Sequence, residues 1–283
     1  MSLLQAFFLG ILQGATEFLP VSSSGHLVLV PWLLRWSSPG LAFDAVVHWG
    51  TALAVIVYFW EEWIGLVRGA LLSLGRTRLF RSRPVSGVES EADESGGGVL
   101  VWLILLGTIP GVLFGYFLED FFERMFARPV AAAGFLLVTA ILLTASERLG
   151  RRQRGLDELD WRDALVIGLG QALAIFPGIS RSGATIAAGL ALGLEREPAA
   201  HFSFLLATPI VLGAGLLKVV ELAQTGGLEA QAPALVLGFV ASAVVGFVCV
   251  HLLLRYLQRR RLYPFAVYCA LFGLLSLVIS MVR

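Results

Sequence analysis

The sequence predicts an all-α polytopic membrane protein made of two inverted-topology repeats. Each repeat is read as a re-entrant helical hairpin plus three transmembrane helices, giving six spans and two hairpins in one membrane domain, residues 1–283. Three observations carry this reading. The chain is 57% hydrophobic and only 14% charged, with a mean hydropathy of +0.82, which a soluble protein rarely reaches. A polar, broken stretch, Gln13-Gly-Ala-Thr-Glu-Phe-Leu-Pro-Val-Ser-Ser-Ser-Gly-His26, falls without a gap on Gln171-Ala-Leu-Ala-Ile-Phe-Pro-Gly-Ile-Ser-Arg-Ser-Gly-Ala184 when the sequence is slid by 158 residues. An odd number of spans in each half then forces the second half to enter from the opposite side, as in many transporters.

The elements follow in order. Residues 2–19 are apolar but end at Pro20, and the arm at 24–34 holds only about eleven residues, ~16 Å of helix and roughly half a hydrocarbon core. The pair is therefore read as a hairpin that enters and leaves on one side. Irregular backbone at such a depth must be buried in protein or line a wet cavity. Residues 42–60, 99–118 and 130–147 read as spans. Residues 64–98 read as a hydrophilic, flexible cytoplasmic loop, with Arg76, Arg78, Arg81 and Arg83 ahead of Glu89, Glu91, Asp93 and Glu94. Residues 162–176 and 182–193 form the second hairpin, followed by spans at 199–217, 233–254 and 264–282. The repeats are bounded at 1–147 and 160–283. Further echoes support them: Gly10 with Gly168, Phe43 with Phe202, Gly107/Gly115 with Gly238/Gly246, and Pro129 with Pro264.

Charge orients the chain. The loops at 61–98, 148–162, 194–198 and 255–263 hold 15 of the 21 Lys and Arg, the other side holds five, and Arg181 belongs to neither. The positive-inside rule places the first set in the cytoplasm and both termini outside. A net charge of +1 offers no nucleic-acid-binding field, and Cys249 and Cys269 sit in apolar runs as small hydrophobes. No basic residue precedes the first apolar stretch, so it does not read as a signal peptide.

The broken tips carry the candidate chemistry. Glu17 in an apolar helix needs a proton, a partner or a metal, and Arg181, always charged, needs an anion. A purely structural Glu17–Arg181 ion pair satisfies both, as does a ligand between them. Ser22-Ser23-Ser24-Gly25 and Ser180-Arg-Ser182-Gly183 each open a helix, whose first N–H groups and dipole favour an anion. Two such starts with an Arg between them suit phosphate. Thr185 lies four residues past Arg181 and offers another hydroxyl. His26 lies three residues past Ser23 and can reach its hydroxyl. Gln13, Gln171 and Asp44 are candidates for the surrounding layer of donors and acceptors.

Gly10-Ile-Leu-Gln-Gly-Ala-Thr-Glu-Phe-Leu-Pro-Val-Ser-Ser-Ser-Gly-His26 and Pro177-Gly-Ile-Ser-Arg-Ser-Gly-Ala-Thr185 resemble the two signature motifs of the bacterial undecaprenyl pyrophosphate phosphatase, or bacitracin-resistance, family. Gln13 departs from the glutamate that many relatives carry there. The resemblance implies hydrolysis of a long-chain isoprenyl pyrophosphate to the monophosphate carrier used in cell-wall synthesis. It also implies a divalent cation (Mg²⁺ or Ca²⁺) and a multi-pass place in the bacterial inner membrane with the site open to the outer, periplasmic face. It leaves a homodimer open. In this reading Glu17 holds the cation and Arg181 clamps phosphate. Ser23 attacks or orients water with His26 as base and then acid; Ser23, His26 and water all remain candidate nucleophiles. An inverted-repeat transporter or lipid flippase for an anionic substrate is the competing expectation.

Overall fold

In the computed structural model the described residues are 1–74, 92–126, 128–224 and 228–283, and they form twelve α-helices and one 3₁₀ turn. The first half contains α1 (Leu3–Phe18), α2 (Ser23–Leu34), α3 (Leu41–Tyr58), α4 (Trp60–Leu74), α5 (Ala92–Phe117), α6 (Glu119–Phe126) and α7 (Pro129–Leu149). The second contains α8 (Trp161–Leu173), α9 (Arg181–Ala191), α10 (Arg196–Gln224), α11 (Leu228–Leu257) and α12 (Tyr263–Val282). Six helices are long and apolar enough to cross a membrane: Leu41–Tyr58, Gly98–Phe117, Pro129–Leu149, Arg196–Gln224, Gln231–Leu257 and Tyr263–Val282.

One expectation needs correction. Residues 64–74 belong to α4 rather than to a loop, and 92–98 open α5. Ile64, Val67, Leu71 and Leu72 are exposed apolar side chains of α4, a stripe that the run of charges further along obscures in the sequence. The rest of that loop, 75–91, lies outside the described residues. The short α6 was not anticipated either.

Local sequence explains where the short helices begin and end. Ser2 and Gln5 cap α1 reciprocally, and Asp160 with Asp163 does the same for α8. Ser22 caps α2 through Gly25 N at 3.2 Å, and Ser180 caps α9 through Gly183 N at 3.0 Å. The break before α9 needs Gly178, which sits at φ +104, and a Cβ there would crowd Phe135 Cβ at 2.8 Å. Thr139 of α7 pins this turn: its hydroxyl donates to Gly178 O at 2.9 Å and accepts from Ser180 N at 3.0 Å.

Contacts between helices establish the inversion. Moving up α3 means moving down α10: Trp49 donates to Leu212 O at 3.2 Å, while Phe59 stacks on His201. α7 and α12 are also antiparallel, since Gly273 approaches Ala133 O whereas Leu262 N bonds Glu147 at 2.9 Å. By contrast α1 runs parallel to α11, with Gly10 at Gly238 and Gly14 at Gly246, and α8 runs parallel to α5, with Gly168 at Gly107 and Ile175 at Gly115. α11 also runs parallel to α3, where Ser242 meets Val47 and His251 meets Tyr58. Equivalent helices therefore point in opposite directions, and each half lays its first helix on a long helix of the other.

Glycine makes this exchange close. A Cβ at Gly10 would lie 2.5 Å from Gly238 O, and one at Gly107 would lie 2.9 Å from Ala164 O. Without a hydrophobic gradient between helices in lipid, such small-residue contacts are a main source of association. Phe43 and Phe202, which the duplication pairs, are both fully buried.

Candidate functional site

The two breaks meet. A Cβ built on Gly25 would lie 3.0 Å from Gly178 Cα, and Ser182 Oγ donates to Leu19 O at 3.3 Å. α2 and α9 thus present their N-termini to one small volume. Among the described residues the N–H groups of Ser23, Ser24, Arg181 and Ser182 have no acceptor, because the caps satisfy only Gly25 and Gly183. Ser22 adopts φ 70, an uncommon backbone for a side-chain-bearing residue, and its carbonyl accepts from His26 N at 3.1 Å.

Glu17 lies at the centre. One carboxylate oxygen accepts from the Arg181 guanidinium across the interface between the halves. The other accepts from Ser23 Oγ and from Gln13 Nε2, the latter at 2.8 Å. His48 Nε2 stands 3.4 Å from that second oxygen. The Glu17 side chain is 6% exposed and that of Arg181 is 20%. Among the described residues only Nη2 of Arg181 finds an acceptor, which leaves its other donors for an anion. Phe18, Thr51, Val55, Phe204 and Thr208, from α1, α3 and α10, line a small, mostly apolar recess beside this pair.

Comparison with known proteins shows the family. The family described as bacitracin resistance protein BacA matches residues 6–275. An undecaprenyl-diphosphatase of Methanosphaera stadtmanae is 42% identical over all of this chain and 99% of its own length. One of Thermomicrobium roseum is 43% identical over the whole of both chains, and one of Geobacter metallireducens is 44% identical over 96% of each. The chain belongs to the BacA family.

Within this BacA-family site the expected residues divide. The structure brings Glu17, Arg181, Ser23 and Gln13 into one network, with Ser22, Ser24, Gly25, Ser180, Ser182 and Gly183 at the two helix starts. Ser22 and Ser24 hydroxyls lie 3.3 Å apart and those of Ser180 and Ser182 lie 3.2 Å apart, a second pair of equivalent contacts.

The structure does not pair His26 with Ser23. His26 Nδ1 donates to Ser22 O at 2.7 Å and its Nε2 meets Tyr268 OH at 2.7 Å, while the ring stacks on Tyr268 and Phe272. Helical spacing brings His26 near the start of α2, but the α12 aromatics decide which way the ring turns. Thr185 is not at the tip either: it is fully buried, with its hydroxyl on Arg181 O at 2.7 Å and 2.6 Å from Ser203 Oγ.

Gln171 is 2% exposed on α8 and neither amide atom has a hydrogen-bond partner, so it stays apart from the Glu17 network. Asp44 presents its backbone carbonyl to His48 Nδ1 at 2.6 Å, and one of its carboxylate oxygens is buried without a partner.

Sequence reasoning missed His48, Thr139 and Tyr268. A histidine inside the apolar run at 42–60 was a usable signal, since ionisable residues in spans mark sites. Nothing in the sequence pointed to Thr139 or Tyr268.

Among the described residues no three His, Cys, Asp or Glu side chains converge as a metal-ligand set. The oxygens that could face a hard cation are the Glu17 carboxylate, Ser23 Oγ and Gln13 Oε1, which is buried without a partner. Magnesium commonly takes one or two carboxylates and completes its shell with water and substrate phosphate, so this donor set fits such an ion.

The ion pair makes a stability prediction. Arg181→Gln should strand the Glu17 carboxylate and cost about 3 kcal/mol, while the Glu17→Gln/Arg181→Gln double variant should recover most of that loss. Thermal unfolding of the purified variants in detergent measures both. A double variant no more stable than the single one would show that the pair does not hold the halves together.

Proposed function

We propose that this chain hydrolyses the terminal phosphate of a long-chain isoprenyl pyrophosphate, as the names of its BacA-family relatives indicate for them. One observation carries the reading beyond the names. Two helix N-termini from inverted halves converge on Arg181, Glu17 and a serine hydroxyl beside an apolar recess. Such a place receives a pyrophosphate on one side and a hydrocarbon tail on the other.

The residues divide the work as follows. Arg181 exchanges the Glu17 oxygen for phosphate oxygens, and the free N–H groups of α2 and α9 share the negative charge that builds up during transfer. Ser23 Oγ attacks the terminal phosphorus and its proton passes to Glu17, to which it already donates. The bond from phosphorus to the bridging oxygen breaks and the isoprenyl monophosphate leaves. Water then cleaves the phosphoserine, giving inorganic phosphate and restoring the hydroxyl. His26 holds Ser22 O and so fixes the start of α2. A divalent cation held by Glu17 and Gln13 would neutralise phosphate charge.

The α1–α2 and α8–α9 pairs are proposed to be re-entrant, entering from opposite faces. α1 and α2, of 16 and 12 residues, reach ~24 and ~18 Å, each short of a ~30 Å core. With the basic loops inside, the first pair and both termini face outward, in the bacterial inner membrane, and the site opens to that outer face. Cysteine labelling of intact cells, in a Cys249→Ala/Cys269→Ala background, tests hairpin and orientation together. Ser2→Cys and Ser38→Cys should both react with an impermeant reagent, and Arg151→Cys only after permeabilisation. Opposite sidedness of positions 2 and 38 would refute the hairpin.

Kinetics test the chemistry. Purified protein in detergent, where no gradient exists, should release phosphate from a long isoprenyl pyrophosphate, which a transporter would not do. Ser23→Ala should lower turnover at least ~10³-fold and Glu17→Gln ~10²–10⁴-fold. Combining them should lower it little further, because the two act as one unit. Adding His26→Gln to Glu17→Gln should multiply the losses. Full additivity between Ser23 and Glu17 would return the role of base to another group.

A further inference from the structure

We propose that His48 is a nitrogen ligand of the divalent cation that sits against Glu17. The site would then be a mixed nitrogen–oxygen one that favours a first-row transition ion such as Mn²⁺ or Zn²⁺ over Ca²⁺. The proposal rests on the phosphatase reading only for the phosphate that completes the ion's shell.

One proton sets the tautomer of His48. His48 lies one helical turn past Asp44 on α3, and its Nδ1 is 2.6 Å from Asp44 O. A backbone carbonyl only accepts, so Nδ1 carries the hydrogen. In the neutral imidazole Nε2 then carries the lone pair, and it stands 3.4 Å from Glu17 Oε2, the oxygen that also accepts from Ser23 Oγ and Gln13 Nε2. Two acceptors then stand 3.4 Å apart, and a cation between them would satisfy both.

The spacing selects the kind of centre. N–H···O hydrogen bonds fall at roughly 2.7–3.2 Å, so 3.4 Å is long for a shared proton. If each atom instead bonds one ion at ~2.1 Å, the same 3.4 Å subtends about 108° at that ion, close to a tetrahedral angle. A ligating histidine whose other N–H is held by a carbonyl is the usual arrangement, because that bond fixes tautomer and ring direction. Arg181 occupies the other Glu17 oxygen, which leaves Oε2 as the oxygen beside His48. The His48 side chain is 22% exposed, which leaves it within reach of an arriving ion.

The remaining histidines do not compete. His26 has both ring nitrogens engaged, and His201 Nε2 is 2.6 Å from Glu62 Oε2. His251 Nδ1 meets Tyr58 OH at 3.1 Å, well along α11 from the tips. An imidazole donor moves preference away from Ca²⁺, which takes oxygen, toward ions that accept nitrogen.

The test uses Mn²⁺ as the probe and does not depend on turnover. Full-length protein in detergent is titrated with Mn²⁺, and the bound ion is examined by electron spin-echo modulation with ¹⁴N- and ¹⁵N-labelled histidine. The expected result is modulation from one directly bound imidazole nitrogen that changes with the isotope. It should be lost in His48→Gln and in Glu17→Gln but kept in His201→Gln. Ca²⁺ should displace Mn²⁺ at least ~10-fold less readily than Zn²⁺.

Isotope labelling of the unmodified protein shows whether any imidazole is bound even if a variant does not fold. No bound Mn²⁺, bound Mn²⁺ without imidazole modulation, or modulation that survives His48→Gln would each overturn the proposal. Phosphate release measured on the same preparation is a separate outcome. Its absence beside an intact imidazole signal would sink the phosphatase reading and leave this one standing.

Discussion

The contact between Arg181 and Glu17 is the constraint on which the rest of the structure depends. Neither residue tolerates an apolar surrounding alone, since burying an isolated ion costs several kcal/mol. One is contributed by each half of the chain, so the pair forms only when the halves lie across each other. That in turn requires α1 to lie on α11 and α8 on α5 at glycine distance, where Gly10 meets Gly238 and Gly168 meets Gly107. The inversion, the small-residue seams and the polar centre are therefore one arrangement. A guanidinium and a carboxylate that already touch are also ready to part when a phosphate supplies the guanidinium with a better partner.

Burial shapes how that centre can act. The serine hydroxyls are committed in pairs, Ser22 with Ser24 and Ser180 with Ser182, which keeps the caps rigid. Ser23 alone among them turns to a carboxylate. The backbone does the rest: four N–H groups at two helix starts have no acceptor among the described residues, positioned by caps rather than by flexible side chains. In the proposed reaction, charge developing on phosphate would meet dipoles fixed before the substrate arrives, which is the condition under which they are most effective. The recess between α3 and α10 supplies apolar walls next to this polar centre, as a lipid pyrophosphate requires.

Much of this was legible in the sequence because duplication doubles the signal. A Pro or Gly break inside an apolar helix is ambiguous once and informative twice, and the same offset that aligned the breaks also aligned Gly10 with Gly168. Glu17 and Arg181 stood out because their charge has no place in a span. What the sequence could not show was which neighbour each polar group would choose. His26 is spaced to reach Ser23, yet Tyr268, 242 residues away, takes its Nε2. Thr185 is spaced to reach the tip, yet Ser203 on α10 draws it inward. Thr139 looks like any hydroxyl in a span until the Gly178 turn closes over it. The α4 stripe was hidden because its apolar residues adjoin a strongly charged run. Local spacing limits what a side chain can reach, and tertiary packing selects among those options.

Both halves are proposed to grip one pyrophosphate at the meeting of α2 and α9. A structure of the protein with a non-hydrolysable, methylene-bridged isoprenyl pyrophosphate analogue tests it most directly. The account predicts the terminal phosphorus between the N-termini of α2 and α9, with Arg181 turned from Glu17 onto phosphate oxygens, Ser23 Oγ facing the phosphorus, and the hydrocarbon tail between α3 and α10. An analogue bound elsewhere, with the Arg181–Glu17 contact intact, would contradict it.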